Sequence, residues 1–551
     1  MKEGAKELNR SKKRIHLREI AILALVSSFF LTLYAPLEIL FTNKEDFWFG
    51  FRTIIGFNLL GFVLLSLLLF GILLLSNLIH ENVYRFLFLA GTVFYLGFYI
   101  EGTFFAGSLP MQDGRKVIWS DYASHRFFSI AIYAVLITAV IILVWKLGFE
   151  KLQKAVIYLL VGMSAMFLIT VITLGIKNKG FEDKTRIKVS KENEFTFSTD
   201  KNFFIFLIDA TDGSTFEEVM TKHPEYEEWF SDFTYYSNMV STYSHTSYAV
   251  PYILSGYWFH WGDDYDEFKN AAYSSSPFLD RLKKDGYRIG LYCDLEPVPP
   301  DENVFSTFEN IETAPMYTPD PLVYAKVFAK LVGYRYAPFD LKRFCEVYVA
   351  EDFRIAKSFD WSDEYTTNNI DFLNDLNNAE FQLDESKPCF KWIHVEGSHV
   401  PYRYDANVNL IENGTYSQNV EASMTLAHDM IEKMKENGVY DNTAFLIMAD
   451  HGFNPEDIPE GRMHPVFFAK GIGETADTMR RNDAPVSHED LMVAFDRLLD
   501  GADSSMLFDW KEGDEREREL YVFSYPVKWR VLKYKQKGHA SDMTTMECLE
   551  D

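Results

Sequence analysis

The chain has 551 residues, 48% of them apolar and 24% charged, and a formal net charge of −25. That length exceeds what a single hydrophobic core supports, so at least two structural units are expected. Charge is divided unevenly: residues 1–176 hold 16 Lys/Arg and 11 Asp/Glu, a net of +5, leaving −30 on the remainder. So acidic a C-terminal part excludes nucleic acid as its partner, because that binding depends on Lys and Arg neutralising phosphates. Cys293, Cys345, Cys389 and Cys548 have neither metal-ligand spacing nor the density of a disulfide framework.

Residues 1–18 carry Lys2, Lys6, Arg10, Lys12, Lys13, Arg14 and Arg18 and read as a basic cytoplasmic tail. Apolar stretches follow near 19–41, 53–79, 83–106, 126–146 and 154–175. About 20 residues suffice to cross a hydrocarbon core, so 19–176 is expected to be a transmembrane domain of five helices. The first stretch is too long for a signal peptide and no small-residue cleavage site follows it, so it stays as an anchor. With the tail inside, five crossings put residue 177 onward outside the cytoplasm, in a multi-pass protein of the plasma (cytoplasmic) membrane. Trp119 and Tyr122, in the outer loop GSLPMQDGRKVIWSDYASH, are expected at the lipid interface, with packing against the catalytic domain as the alternative. Residues 177–200 are polar and read as a linker.

From residue 201 the runs FFIFLI, RIGLYC, FKWIHV, TAFLIMA and PVFFA alternate with helical patterns. Runs apolar on both faces indicate buried parallel strands. The expectation for 201–525 is an extracytoplasmic α/β domain with a mostly parallel central sheet flanked by helices, followed by a C-terminal tail over 526–551. SPFLDRLKKDG and EASMTLAHDMIEKMKENG are the clearest helices, with Gly286 and Gly438 where C-terminal caps fall.

In open α/β sheets, ligands bind beyond the carboxyl ends of the strands. Asp209, His399, Asp450 and His451 all stand there. Asp209 follows FFIFLI directly and is a metal-ligand candidate, although an Asp in this place equally caps the next helix, with Thr211 and Asp212 as rivals. Asp450 and His451 offer a hard oxygen and an imidazole nitrogen, and Gly452 lets the backbone turn away. With the Thr246 hydroxyl they make a four-coordinate, oxygen-rich set suited to one divalent ion, Mn²⁺ first, Zn²⁺ or Mg²⁺ next. Thr246, in SHTSYAVPYILSG, precedes a helical pattern, and a helix N-terminus favours both an alkoxide and a phosphorylated hydroxyl. A lone Thr in that place is otherwise an ordinary N-cap. His399 and His464 are candidates for clamping phosphate oxygens or moving a proton, and Arg403 and Arg462 for binding phosphate. His245 and His394 are left as structural histidines.

These motifs resemble the alkaline phosphatase/sulfatase superfamily, in particular its membrane-anchored branch of lipoteichoic acid synthases and lipid phosphoethanolamine transferases. The layout of five spans, linker and extracytoplasmic domain is similar to that branch over nearly the whole chain. The resemblance implies metal ligation by Asp209, Thr246, Asp450 and His451, nucleophilic attack by Thr246, and substrate contact by His399 and His464. HTSYAVPYILSG looks especially like the nucleophile region of phosphoethanolamine transferases. Two features depart from the pattern: the first ligand is Asp where both transferase branches have Glu, and 255–275 lacks the Trp/Arg segment that binds glycerophosphate in lipoteichoic acid synthases. No Cys lies near Thr246, which disfavours sulfate ester hydrolysis of the formylglycine type. The resemblance implies a transferase that moves a phospholipid head group, glycerophosphate or phosphoethanolamine, to a glycolipid or cell-envelope polymer. A tethered hydrolase or a catalytically silent lipid sensor are the alternatives.

Overall fold

The computed structural model describes residues 16–44, 47, 49–109, 117–182, 185–260, 262–316, 318–347, 363–453, 459–524 and 530–549. The basic residues from Lys2 to Arg14 lie outside them. By its contacts the chain forms two units, Met1–Arg186 with Pro315–Phe359, and Ile187–Ala314 with Asp360–Asp551.

In the first unit five helices, Leu17–Thr42, Phe51–Ile79, Glu81–Phe105, Trp119–Leu147 and Phe149–Lys177, are long and apolar enough to cross a membrane. They match the five expected spans to within a few residues, except that the fourth starts earlier, at Trp119. Polar and glycine residues set their ends: the His80 side chain accepts the Asn82 N–H at the start of the third, and Gly148, at φ 75°, turns the chain between the fourth and fifth.

The component not foreseen in this unit is Pro315–Phe359, which interrupts the sequence of the second unit. Its helix Pro321–Tyr336 starts on the side chain of Asp320, which accepts the Leu322 and Val323 N–H groups. Polar pairs fix this segment to the spans. The Tyr324 hydroxyl donates to Asn58 Oδ1 at 2.8 Å, and Arg335 and the Tyr336 hydroxyl donate to Glu38 at 2.5 and 2.8 Å. Lys342 Nζ stands 3.8 Å from Glu101, both side chains being buried. An ionisable side chain inside a span is costly unless paired, and this segment supplies the partners of Glu38 and Glu101. Trp119, expected at the lipid interface, donates its Nε1–H to Glu346 at 2.7 Å and packs its ring edge-on against Phe339.

In the second unit β1 (Asn202–Ile208), β2 (Thr234–Tyr236), β3 (Arg288–Tyr292), β4 (Cys389–Val395), β5 (Thr443–Met448), β6 (Phe467–Lys470) and β7 (Arg480–Asn482) form one sheet in the order β7-β2-β6-β5-β1-β4-β3. Strands β5, β1, β4 and β3 run parallel. Strand β6, the PVFFA run, is antiparallel to β5. A parallel return needs a crossover helix, and between β5 and β6 the described residues hold only the short turn Pro459–Arg462. Strand β1 is buried throughout because helices cover both faces: Phe203 meets Phe278 and Phe495 on one side, Phe206 meets Phe372 on the other. Gly286 and Gly438 follow their helices at φ 79° and 70°, the left-handed termination expected of them.

Both ends of this unit differ from the sequence reading. The stretch read as linker contains Thr196–Ser198, which pairs with Gln382–Asp384. Strands Arg518–Ser524, Arg530–Gln536 and Met546–Cys548 form an antiparallel sheet across the expected boundary at 526, so 530–549 is not a tail. None of the four cysteines, all among the described residues, forms a disulfide.

Arg335→Ala leaves Glu38 buried without its cation and is expected to destabilise the first unit by about 3–5 kcal/mol. Replacing Glu38 and Arg335 together by Gln is expected to cost much less. Thermal unfolding of the detergent-solubilised protein checks both.

Candidate active site

Strands β1 and β5 lie side by side with Leu207 opposite Met448, so Asp209 and Asp450 leave the sheet at the same level. Each carries a buried oxygen with no hydrogen-bond partner, Asp209 Oδ1 and Asp450 Oδ2. The Ala210 N–H donates to the other Asp450 oxygen at 3.3 Å. His451 Nδ1 lies 2.7 Å from Gly452 O. A carbonyl only accepts, so Nδ1 carries the proton, and in the neutral ring Nε2 presents a lone pair. That nitrogen stands 3.6 Å from Asp450 Oδ2, 3.8 Å from Asp209 Oδ1 and 3.4 Å from Thr246 Oγ1.

The structure therefore gathers Asp209, Thr246, Asp450 and His451, and ligand atoms of the two carboxylates and the imidazole lie within 4.8 Å of one another. Two carboxylate oxygens without donors, facing a nitrogen lone pair, repel one another in a buried setting. A divalent cation removes that repulsion, and the hard-oxygen and imidazole donors fit one. Burial opposes the charged form of Asp209, but its neighbours outweigh it, the hydrogen bond from His394 foremost, and hold the carboxyl below the usual range.

Thr246 is the first residue of the helix Thr246–Ser255, with His245 extended before it. Its hydroxyl thus sits where the helix dipole is positive and backbone N–H groups lack partners within the helix. Two glycines permit the close packing behind the site. A Cβ on Gly397, at φ 58°, would meet the Asp209 backbone at 2.5 Å, and one on Gly452 would meet His464 O at 2.6 Å. Gly452 is thus required for close approach; a left-handed turn is not its role.

A cavity of about 440 Å³ opens over these groups, lined among others by Thr246, His399, Arg403 and Arg462. His399 Nδ1–H donates to Val400 O at 2.8 Å, so in the neutral ring its Nε2 is an acceptor. Arg403 reaches the cavity already paired, donating to both Glu396 oxygens at 2.8 Å. His464 is placed differently from the sequence reading. It does not line the cavity: Nε2–H donates to Ser237 O at 2.8 Å, and Nδ1 meets Ser214 Oγ at 2.9 Å. Burial pushes its pKa down to about 4, and both nitrogens are engaged in joining chain segments. Asp212 is a helix cap, its Oδ1 accepting the Thr215 N–H at 2.9 Å, and Thr211 bonds to Ser398.

Sequence reasoning missed several neighbours. Asp294 and Glu296 line the cavity just past the end of β3, where the strand-end rule applied to RIGLYC would have found them. His394, read as structural, has Nε2 3.5 Å from Asp209 Oδ2, behind the ligand group. Thr366, Thr367 and Asn368 also line it, from a stretch with no motif.

A search of curated protein sequences finds no match. Among solved structures the chain is similar to a protein of the alkaline phosphatase superfamily from Vibrio parahaemolyticus, at 15% identity over 67% of this chain and 85% of that one, TM-score 0.36. It is similar to the phosphonate monoester hydrolase from Silicibacter pomeroyi at 13% identity over 63% and 88%, TM-score 0.34. It is also similar to the C-terminal periplasmic domain of EcEptC from Escherichia coli, at 12% over 61% and 95%, TM-score 0.31. The Sulfatase family model matches residues 201–501. With more than half of its length matched by that model, the chain belongs to the Sulfatase family.

Proposed function

We propose that this membrane protein is a metal-dependent phosphotransferase, which moves a phospholipid head group through a phospho-threonine intermediate to a hydroxyl of an envelope glycolipid or polymer. The donor is glycerophosphate in first place and phosphoethanolamine in second, and the catalytic unit faces away from the cytoplasm. The observation that carries the reading is the Thr246 hydroxyl, 3.4 Å from His451 Nε2 and on a helix N-terminus beside two unpartnered carboxylate oxygens.

Asp209, Asp450, His451 and Thr246 would hold the cation. When bound, it would lower the pKa of the hydroxyl and offset charge on the phosphoryl oxygens. In the first step Thr246 Oγ attacks the phosphorus of the lipid. The bond to diacylglycerol breaks, the departing oxygen takes up a proton, and a phosphodiester remains on Thr246. Its charge lies at the N-terminal end of the helix, a favourable place for an anion. In the second step an acceptor hydroxyl attacks the same phosphorus, His399 Nε2 takes its proton, and Thr246 Oγ leaves and is reprotonated. Arg403, neutralised by Glu396, orients a phosphoryl oxygen and adds little net charge. His464 has no part in this scheme.

Full-length protein with Mn²⁺ and vesicles of phosphatidylglycerol or phosphatidylethanolamine is expected to release diacylglycerol. Thr246→Ala is expected to abolish release without unfolding the chain, and full activity in that variant would refute the nucleophile. His399→Ala is expected to slow transfer by about 10²–10⁴-fold. Continuous release of the free head group with no acceptor present would favour a hydrolase.

Asp450→Asn is expected to lose most of the bound metal, measured by elemental analysis. It should also melt higher than metal-stripped wild type, because the substitution relieves the facing carboxylates. Added metal should raise the wild-type midpoint, by about 2.7 kcal/mol of stability at a hundredfold excess over Kd, and leave the variant unmoved.

A further inference from the structure

The first unit contains a second cavity that the proposed chemistry does not use. It is a groove of about 330 Å³ along the fourth span, lined by Arg126, Ile130, Tyr133, Ala134 and Ile137 and closed by Pro338, Phe339 and Asp340. The span residues recur at helical spacing and so form one continuous stripe. From Arg126 to Ile137 it runs about 16 Å, roughly one leaflet of a hydrocarbon core about 30 Å thick.

Only one end of the groove is charged. There Arg126 Nε lies 2.8 Å from Asp340 Oδ1, and both side chains stay about half exposed, at 59% and 48%. This end lies seven residues into the span, near Trp119, and the rest of the lining is apolar apart from the Ser129 and Tyr133 hydroxyls. The opposite wall is fixed in place, since the Phe339 N–H donates to Ser129 Oγ at 3.1 Å. Tyr133 is equally constrained, its ring lying so close to Gly97 that a Cβ there would meet it at 2.4 Å.

We infer that this groove holds one zwitterionic phospholipid of the bilayer, its phosphate on Arg126, its ammonium on Asp340 and an acyl chain along the stripe to Ile137. Adjacent opposite charges at the mouth complement a head group that carries both signs, whereas an anionic head group meets Asp340 as a like charge. The apolar length matches a single leaflet, which places the charged end at the polar boundary where a head group lies. Binding here depends on the membrane spans and on the Pro315–Phe359 segment, and it stands whether or not Thr246 transfers a head group.

The test uses full-length protein carrying Thr246→Ala, so that no lipid is consumed, equilibrated with phosphatidylethanolamine or phosphatidylglycerol vesicles. The protein is then extracted in mild detergent and weighed intact by native mass spectrometry. One retained phosphatidylethanolamine per chain is expected, favoured about tenfold over phosphatidylglycerol, as one charge-assisted contact provides. Arg126→Ala is expected to lower retention about tenfold. Ala134→Trp, which fills the groove from a lipid-facing position, is expected to remove it. Equal retention of the two lipids, retention unchanged in both variants, or no retained lipid would overturn the inference. A lipid-free dimer mass would assign the groove to a second copy of the chain and overturn it as well.

Discussion

The catalytic unit is organised around an electrostatic problem, two carboxylates brought out of water side by side. Parallel pairing of β1 with β5 fixes Asp209 and Asp450 at one level, and each keeps an oxygen with no donor. A fold does not hold such a pair for its own stability, because like charges in a buried setting oppose folding. The carbonyl of Gly452 sets the tautomer of His451, and the ring then adds a lone pair to the same point. The second carboxylate oxygen of Asp450 is tied to the Ala210 backbone, which orients the group without satisfying the free oxygen.

Around that point the remaining features have complementary physical roles. The helix beginning at Thr246 brings a hydroxyl and a positive dipole end to the carboxylates, the combination that suits a nucleophile which becomes a phosphate ester. The membrane unit faces a related constraint in a different medium. Glu38 and Glu101 lie within spans, and Pro315–Phe359, inserted from the midst of the catalytic sequence, provides their cations.

Much of this was legible in the sequence, for identifiable reasons. Spans and buried strands are continuous apolar runs, which composition alone reveals, and the metal candidates stand at the ends of such runs. The antiparallel direction of β6 was not legible, because a short apolar run reads alike in either direction. Pro315–Phe359 was missed because its helix has only ordinary hydropathy and no segregated apolar face, and its partners Asn58, Glu38 and Glu101 are hundreds of residues away in sequence. His464 illustrates the opposite error: its motif position suggested chemistry, yet Ser214 and Ser237, on distant segments, engage both ring nitrogens. Asp294 and Glu296 were within reach of the same strand-end rule that found Asp209.

The most direct test of the nucleophile is the mass of the peptide containing Thr246 after the full-length protein has been incubated with divalent metal and phospholipid vesicles, in the absence of acceptor, and quenched in acid. A glycerophosphate or phosphoethanolamine adduct on Thr246, absent when the metal is chelated, is the predicted result. An unmodified Thr246 in a protein that nevertheless releases diacylglycerol would contradict covalent transfer through this residue.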